Sequence, residues 1–208
     1  MDVTRLLESA LALFIVVDPL GLVPVYMGMT AGMSREERRH TTAVAVISGV
    51  SILLAFSLGG EWLLAHAFHI TTDELLVVGG LLLLVIGVTG TIFGERIYRV
   101  EVAAATRRSS VGAVPIGCPL LAGPGAITAT ILTVNAYCPR WRGIAVASLL
   151  VLVVFSVVWL VLRFTERIHG LLGQVGSMVV SRLMQILLAA IGVHYLVAGV
   201  RGLLAAPG

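Results

Sequence analysis

None of the 208 residues is lysine, so all fourteen basic charges are arginine. Charged residues of both signs make up only 12% of the chain, about half the share of a soluble domain. With 58% hydrophobic residues and a mean hydropathy of +1.03, a soluble protein of this size has no interior large enough to hide the apolar surface. Cysteine is nearly absent as well. Cys118 and Cys138 lie at opposite ends of one apolar stretch, which suggests neither a disulfide scaffold nor a metal site. Catalytic signatures are missing too: there is no H-E-x-x-H, no G-x-S-x-G and no carboxylate pair at helical spacing, so an enzyme is not expected. No loop is long enough to form a receptor domain.

What the chain does have is apolar runs near the length that crosses the hydrocarbon core, among them ELLVVGGLLLLVIGVTGTIF and IAVASLLVLVVFSVVWLVL. A backbone in lipid must satisfy its own hydrogen bonds, so these runs predict helices rather than sheet. Six spans are expected: Leu6 to Met29, Thr41 to about Leu58, Leu75 to Phe93, Val111 to Ala136, Ile144 to Leu162, and Leu183 to Val200. The stretch from Gly170 to Val180 is moderately apolar, and its plain reading is a connector. Arg5 ahead of an apolar run imitates a signal peptide, but Glu8 and Asp18 interrupt it, so the segment is taken as a retained first span.

Arginine sets the orientation. The connections one-to-two, three-to-four and five-to-six hold ten arginines, and the other side holds Arg5, Arg140, Arg142 and Arg201. The first group is therefore expected in the cytoplasm and both termini outside. The net charge of +3 thus reports topology, whereas nucleic-acid binding would need a concentrated basic patch.

An internal echo divides the chain. Asp18-Pro19-Leu20-Gly21-Leu22-Val23-Pro24 in span one is matched by Cys118-Pro119-Leu120-Leu121-Ala122-Gly123-Pro124-Gly125 in span four, with Pro19 and Pro119, Leu20 and Leu120, and Pro24 and Pro124 each one hundred residues apart. Later in each half come LLLLVIGV ending at Val88 and QILLAAIGV ending at Val193. Duplication explains two echoes in the same order. Three spans per unit return the chain on the opposite side, so the second unit is inserted upside down, the architecture of many secondary transporters. The expected fold is an all-α polytopic membrane protein: one membrane domain over residues 1–208, with a three-helix repeat over 1–100 and an inverted one over 101–208. Helices 1 and 4 are expected to be broken at the Pro/Gly motifs.

Proline removes a backbone donor and clashes with the preceding turn, so each motif should leave amides and carbonyls unpaired. Such groups must line protein, water or a ligand. Amides at a resumed half-helix attract a carboxylate and freed carbonyls attract an ammonium or a cation, so a small zwitterion suits both breaks. Asp18 lies roughly 18 Å along a helix from Leu6, near mid-membrane. An ionisable group there is a functional hypothesis by default. It has three roles open to it, binding a substrate ammonium, binding Na⁺ or carrying a coupling H⁺, and a fourth as the cap of the half-helix that resumes near Leu20.

Other polar residues carry less. Thr128, Thr130 and Thr133 follow the second motif and either line a path or bond their own i−4 carbonyls. Asn135 reads as interfacial. Gln185 and His194 share span six without being stacked neighbours, with His194 read as a helix-to-helix donor or a proton relay. His66 and His69, near Glu61 and Asp73, lack a third metal ligand at a familiar spacing and read as wet loop residues. Ser34 with Glu37 fits a capping box ahead of span two. Gly79, Gly80, Gly87, Gly90, Gly192 and Gly199 mark close packing, either between the repeats or between subunits of a homo-oligomer.

The segments FIVVDPLGLVPVYMGMT, SREERRHTT, VPIGCPLLAGPGAITATI and SRLMQILLAAIGVHYLVAG resemble the MarC family of integral membrane proteins over nearly the whole chain. The resemblance implies a six-span inner-membrane protein. Some relatives in that family are assigned as transporters of small neutral amino acids such as alanine and glycine, and a drug-efflux role does not follow from the family's name. The first family motif is matched by Pro19, Leu20, Gly21 and Pro24, with Asp18 and Leu22 standing where asparagines are usual. The second is matched by Pro119, Leu120, Ala122, Gly123, Pro124, Gly125 and Ala126, with Thr128 just beyond. The two departures remove side-chain amides and leave the backbone features intact. The expected function is a secondary transporter of small solutes, with a pore or a non-transporting structural or regulatory membrane protein as the alternative. The expected partners are the solute and the lipid bilayer, with no nucleic acid and no cofactor beyond a coupling H⁺ or Na⁺.

Overall fold

A computed structural model describes residues 3–30, 32–67, 69–93 and 121–205. The described residues are helical with no strand. The helices are α1 (Val3–Val17), α2 (Leu22–Met29), α3 (Arg35–Trp62), α4 (Thr72–Phe93), α5 (Pro124–Asn135), α6 (Arg140–Arg163) and α7 (Thr165–Ala205). A π-helical turn, Leu63–Ala67, extends α3. Among the described residues, five stretches are long and apolar enough to cross a membrane: Val3–Pro24, Arg35–Ala67, Thr72–Phe93, Arg140–Arg163 and Val175–Ala205. They correspond to expected spans one, two, three, five and six. Of expected span four, residues 111–120 lie outside the described residues. The rest is α5, about 18 Å long, too short to cross ~30 Å of hydrocarbon alone.

The outside of the bundle is as apolar as its inside. In α4 the most apolar window has a mean hydropathy of 2.5, yet only 28% of it is buried within the protein, leaving Leu81, Val85, Ile86 and Ile92 facing outward. Water would penalise such a surface, and hydrocarbon does not. The short α5 is the opposite case: Gly125, Ala126, Thr128, Ala129, Thr130, Ile131, Thr133 and Val134 are all buried, so this helix is surrounded on every side, as an all-round apolar pattern requires. It contacts α1, α3, α4 and α6 at the centre of the bundle.

Helix ends are fixed by local chemistry. At α3 the Glu37 amide donates to Ser34 Oγ at 3.3 Å and the Ser34 amide donates to Glu37 Oε2 at 2.7 Å, a reciprocal pair that starts the helix at Arg35. The expected span began at Thr41 because hydropathy marks where lipid starts, whereas the cap marks where the helix starts. Thr71 and Glu74 form the same box before α4. Gly170 to Val180, expected as a connector, is helical apart from Gly173, whose φ of 65° breaks α7. His169 and Ser177 meet across that break at 3.2 Å.

Glycines decide the longest helix pairing. Gly80 of α4 lies against the Gly192 carbonyl and the Leu196 amide, Gly192 lies against the Leu84 amide, and Gly87 faces the backbone of Gln185 and Ala189. Any β-carbon at these positions would strike backbone, so α4 and α7 touch main chain to main chain. The glycine stripe therefore joins two helices of one chain.

Ion pairs tie the two ends of the bundle. Arg38, in the first turn of α3, pairs with Glu166 at the start of α7. At the other end, Arg140 pairs with Glu61 at 3.1 Å and Asn135 donates to Thr72 Oγ1 at 3.4 Å. Arg35, Arg38, Arg39, Arg163 and Arg167 thus share one end, as the parity of the spans requires.

Candidate functional site

The first Pro/Gly motif is a break between two helices. The Asp18 amide closes α1 on the Phe14 carbonyl at 3.0 Å, and Asp18 then turns into the left-handed region at φ 48°. Few residues other than glycine adopt that conformation, and Asp is among those that tolerate it. Pro19 has no amide for the Ile15 carbonyl. The Gly21 amide, which a continuing helix would aim at the Val17 carbonyl, donates instead to Asp18 Oδ1 at 2.9 Å. The break thus frees two carbonyls at the end of α1. Pro24 lies in the first turn of α2, where no amide has a helical partner to lose. Only Pro19 interrupts; Pro24 helps the chain restart.

Asp18 is 8% exposed and serves as a cap, the structural role open to it from the sequence. Its other oxygen has a use that sequence reasoning missed. Oδ2 accepts from Nε2 of Gln185 on α7 at 3.3 Å, joining residues 167 positions apart. Gln185 is 4% exposed, and its own Oε1 is buried without a hydrogen-bond partner, lying beside Gly90 of α4. A side chain at Gly90 would displace that amide. Among the described residues no cation pairs with Asp18, so the break holds a carboxylate, a carboxamide oxygen and free carbonyls with few donors to balance them. The only sequence signal for Gln185 was a lone amide in an apolar run.

The second motif offers the reverse. Gly123, extended at ψ 170°, is the N-cap of α5, Pro124 is its first residue, and no side chain caps it. The first bond of the helix runs from the Ile127 amide to the Gly123 carbonyl at 3.1 Å. Among the described residues, the amides of Gly125 and Ala126 therefore have no backbone acceptor, although both residues are buried. Pro119 and Leu120 lie outside the described residues, as does Cys118. Gly125 packs against Val16 of α1 and Leu83 of α4, so closely that a β-carbon there would strike Leu83. Val16 is two residues from Asp18. The fold therefore brings the acceptor-rich break and the donor-rich helix start side by side.

The threonines of α5 bond within their own helix. Thr128, Thr130 and Thr133 each donate to the carbonyl four residues back, at 2.9, 2.7 and 2.8 Å, and Thr128 packs on Gly79. His194 is exposed on the outer face of α7 beside Tyr195, away from the breaks. His66 is held by the Trp62 carbonyl at 3.2 Å and stacks on the Trp62 ring.

The chain matches the family described as MarC family integral membrane protein over residues 3–204. It is 33% identical to a UPF0056 membrane protein of Methanocaldococcus jannaschii, covering 98% of this chain and 100% of that one. It is 31% identical to a UPF0056 membrane protein of Aquifex aeolicus over 95% and 92% of the two chains. To the UPF0056 membrane protein YhcE of Escherichia coli it is 30% identical over 93% and 90%. These names state membrane residence and no substrate. No solved structure matches.

Proposed function

Because the chain belongs to the MarC family of integral membrane proteins, we propose that it is a secondary transporter of small neutral amino acids such as alanine and glycine. The observation that carries this reading is the pairing of opposite polarities at adjoining breaks. The carboxylate of Asp18, Oε1 of Gln185 and the freed carbonyls of Ile15 and Val17 suit an ammonium. The first-turn amides of Gly125 and Ala126 suit a carboxylate. A zwitterion with a methyl group or a hydrogen as its side chain satisfies both without needing a large cavity. Binding and release need no bond to be broken, so the protein is a carrier and not an enzyme.

In this reading the chain is six spans in two inverted repeats. It lies in the inner membrane, with the Arg35–Arg39 and Arg163–Arg167 end in the cytoplasm and both termini outside. Alternating access moves one repeat against the other around the two breaks. Asp18 couples transport to H⁺ or to Na⁺, since a carboxylate can take up a proton or bind Na⁺ with a full charge, where an amide at the same place has no proton to exchange and no charge to offer.

The test is uptake of radiolabelled alanine and glycine into proteoliposomes of the wild type and of Asp18→Asn, with proton and sodium gradients imposed separately. Gradient-driven uptake by the wild type is expected, with the gradient's effect lost in Asp18→Asn while exchange of substrate survives. Correctly folded wild type that moves neither amino acid under any gradient would remove the proposed substrate.

A further inference from the structure

Away from the breaks, at the arginine-rich end, an open cleft of about 400 Å³ lies between the start of α3, the end of α6 and the start of α7. Among the described residues, Arg35, Arg38, Arg39, Arg163 and Arg167 line it against a single carboxylate, Glu166. Two of these guanidiniums lie over aromatic rings, Arg163 at 4.9 Å from the Trp159 centroid and Arg167 at 5.3 Å from that of Phe164, which leaves their N–H edges free for an acceptor. Arg38 pairs with Glu166 and reaches the Thr30 carbonyl at 3.5 Å, but its Nε is buried with no hydrogen-bond partner. The cleft is thus short of negative charge and holds an unused buried donor.

A second depression begins where the first ends. An apolar groove of about 430 Å³ runs between α3 and α6, lined by Val46, Val50, Leu152, Phe155 and Leu160, and it shares Trp159 with the basic cleft. Its one hydroxyl, on Ser156, is spent on the Leu152 carbonyl at 2.7 Å, so the groove offers no polar partner. Val46 and Val50 lie one and two turns along α3 from Thr42, which lines the cleft, so the groove leads from the arginines toward the middle of the span.

We propose that this end of the bundle binds one anionic phospholipid, its phosphate in the arginine cleft and an acyl chain in the α3–α6 groove. The charge of the cleft selects an anionic headgroup over a zwitterionic one. The groove selects a lipid over a free anion, because a soluble phosphate has nothing to place there. Trp159 sits at the junction, where an indole between headgroup and chain is usual. The lipid would also brace α2, since Tyr26, which lines the cleft, hydrogen-bonds Thr42 at 2.6 Å and the Arg38 carbonyl at 3.3 Å.

Trp159 supplies the readout. In a Trp62→Phe/Trp141→Phe background its fluorescence is the only indole signal, and it is measured in full-length protein reconstituted into phosphatidylcholine vesicles. Chain-brominated phosphatidylglycerol or chain-brominated phosphatidylcholine is then added in increasing mole fraction. The expected result is half-maximal quenching at a much lower fraction of the glycerol lipid. Arg39→Gln/Arg163→Gln should weaken that preference by roughly tenfold to thirtyfold, and Arg39→Lys/Arg163→Lys should keep most of it. Equal quenching by both lipids overturns the proposal, and so does full displacement of the quencher by millimolar inorganic phosphate, which would make the cleft a site for a free anion. The lipid comparison and the phosphate challenge both use arginine-intact protein, so they decide the matter even if the glutamine variant fails to fold. None of these readouts involves transport.

Discussion

The two Pro/Gly motifs share their proline spacing and differ in nearly everything else. At Asp18 a side chain does the capping, so the restarted α2 has its Gly21 amide satisfied and the surplus is of acceptors. At Gly123 no side chain of the described residues caps, α5 begins with buried amides that find no acceptor among them, and the surplus is of donors. Equal backbone breaks therefore need not make equal sites. One side chain at the first position decides which sign of charge each break favours.

The largest effect should come from filling the seam where the motifs meet. Gly125→Val puts a branched side chain into Leu83 and Val16, and thermal unfolding in detergent should show a loss of about 1–3 kcal/mol together with loss of uptake. Gly28, in α2, has open space around it, so Gly28→Ala should leave both measurements near wild type. If Gly28→Ala were the more damaging of the two, close approach of the motifs would not be what matters.

Next in size is the asymmetry itself. Asp18→Ala removes the cap and places a residue poorly suited to φ 48°, so it should cost about 1–2 kcal/mol for each of those losses. Asp18→Asn keeps an acceptor for Gly21 and tolerates the turn, so its cost should be far smaller. Chemical denaturation of the two variants separates capping from charge. Gln185→Leu strips Asp18 Oδ2 of its donor, and in a double-mutant cycle with Asp18→Asn the two should couple by about 0.5–3 kcal/mol. Strict additivity would mean that the contact between α7 and the break contributes nothing.

The smallest effect is expected at Thr130→Val and Thr133→Val. Their hydroxyls serve only their own helix, so each should change stability by no more than about 1 kcal/mol and leave uptake unchanged. A transport defect in either would place a substrate path along α5 after all.

Much of the first break was legible because its causes are local. A missing amide at Pro19 and an Asp able to bond three residues ahead act within one turn, and so does the Ser34–Glu37 box. The same local signature stands at Thr71 and Glu74. The partner of Asp18 was a different kind of problem. That Gln185 faces the break depends on the rotation of α7 about its axis, which Gly80, Gly87 and Gly192 set by allowing one close approach. The sequence marks those glycines as packing residues but does not say which helix each one meets. The threonines of α5 had two readings of equal standing, and the i−4 bonds of one of them are formed in the fold.

The contact between α4 and α7 limits how the bundle can rearrange. Interlocked side chains can slip past one another by changing rotamer, but at Gly80 and Gly192 there are no side chains to change. Sliding one helix along the other would drive backbone into backbone within a fraction of a turn. Rocking of the proposed repeats can therefore pivot at this seam but cannot slide along it. In mechanical terms the glycine seam is a hinge pin between α4 and α7, not a sliding track.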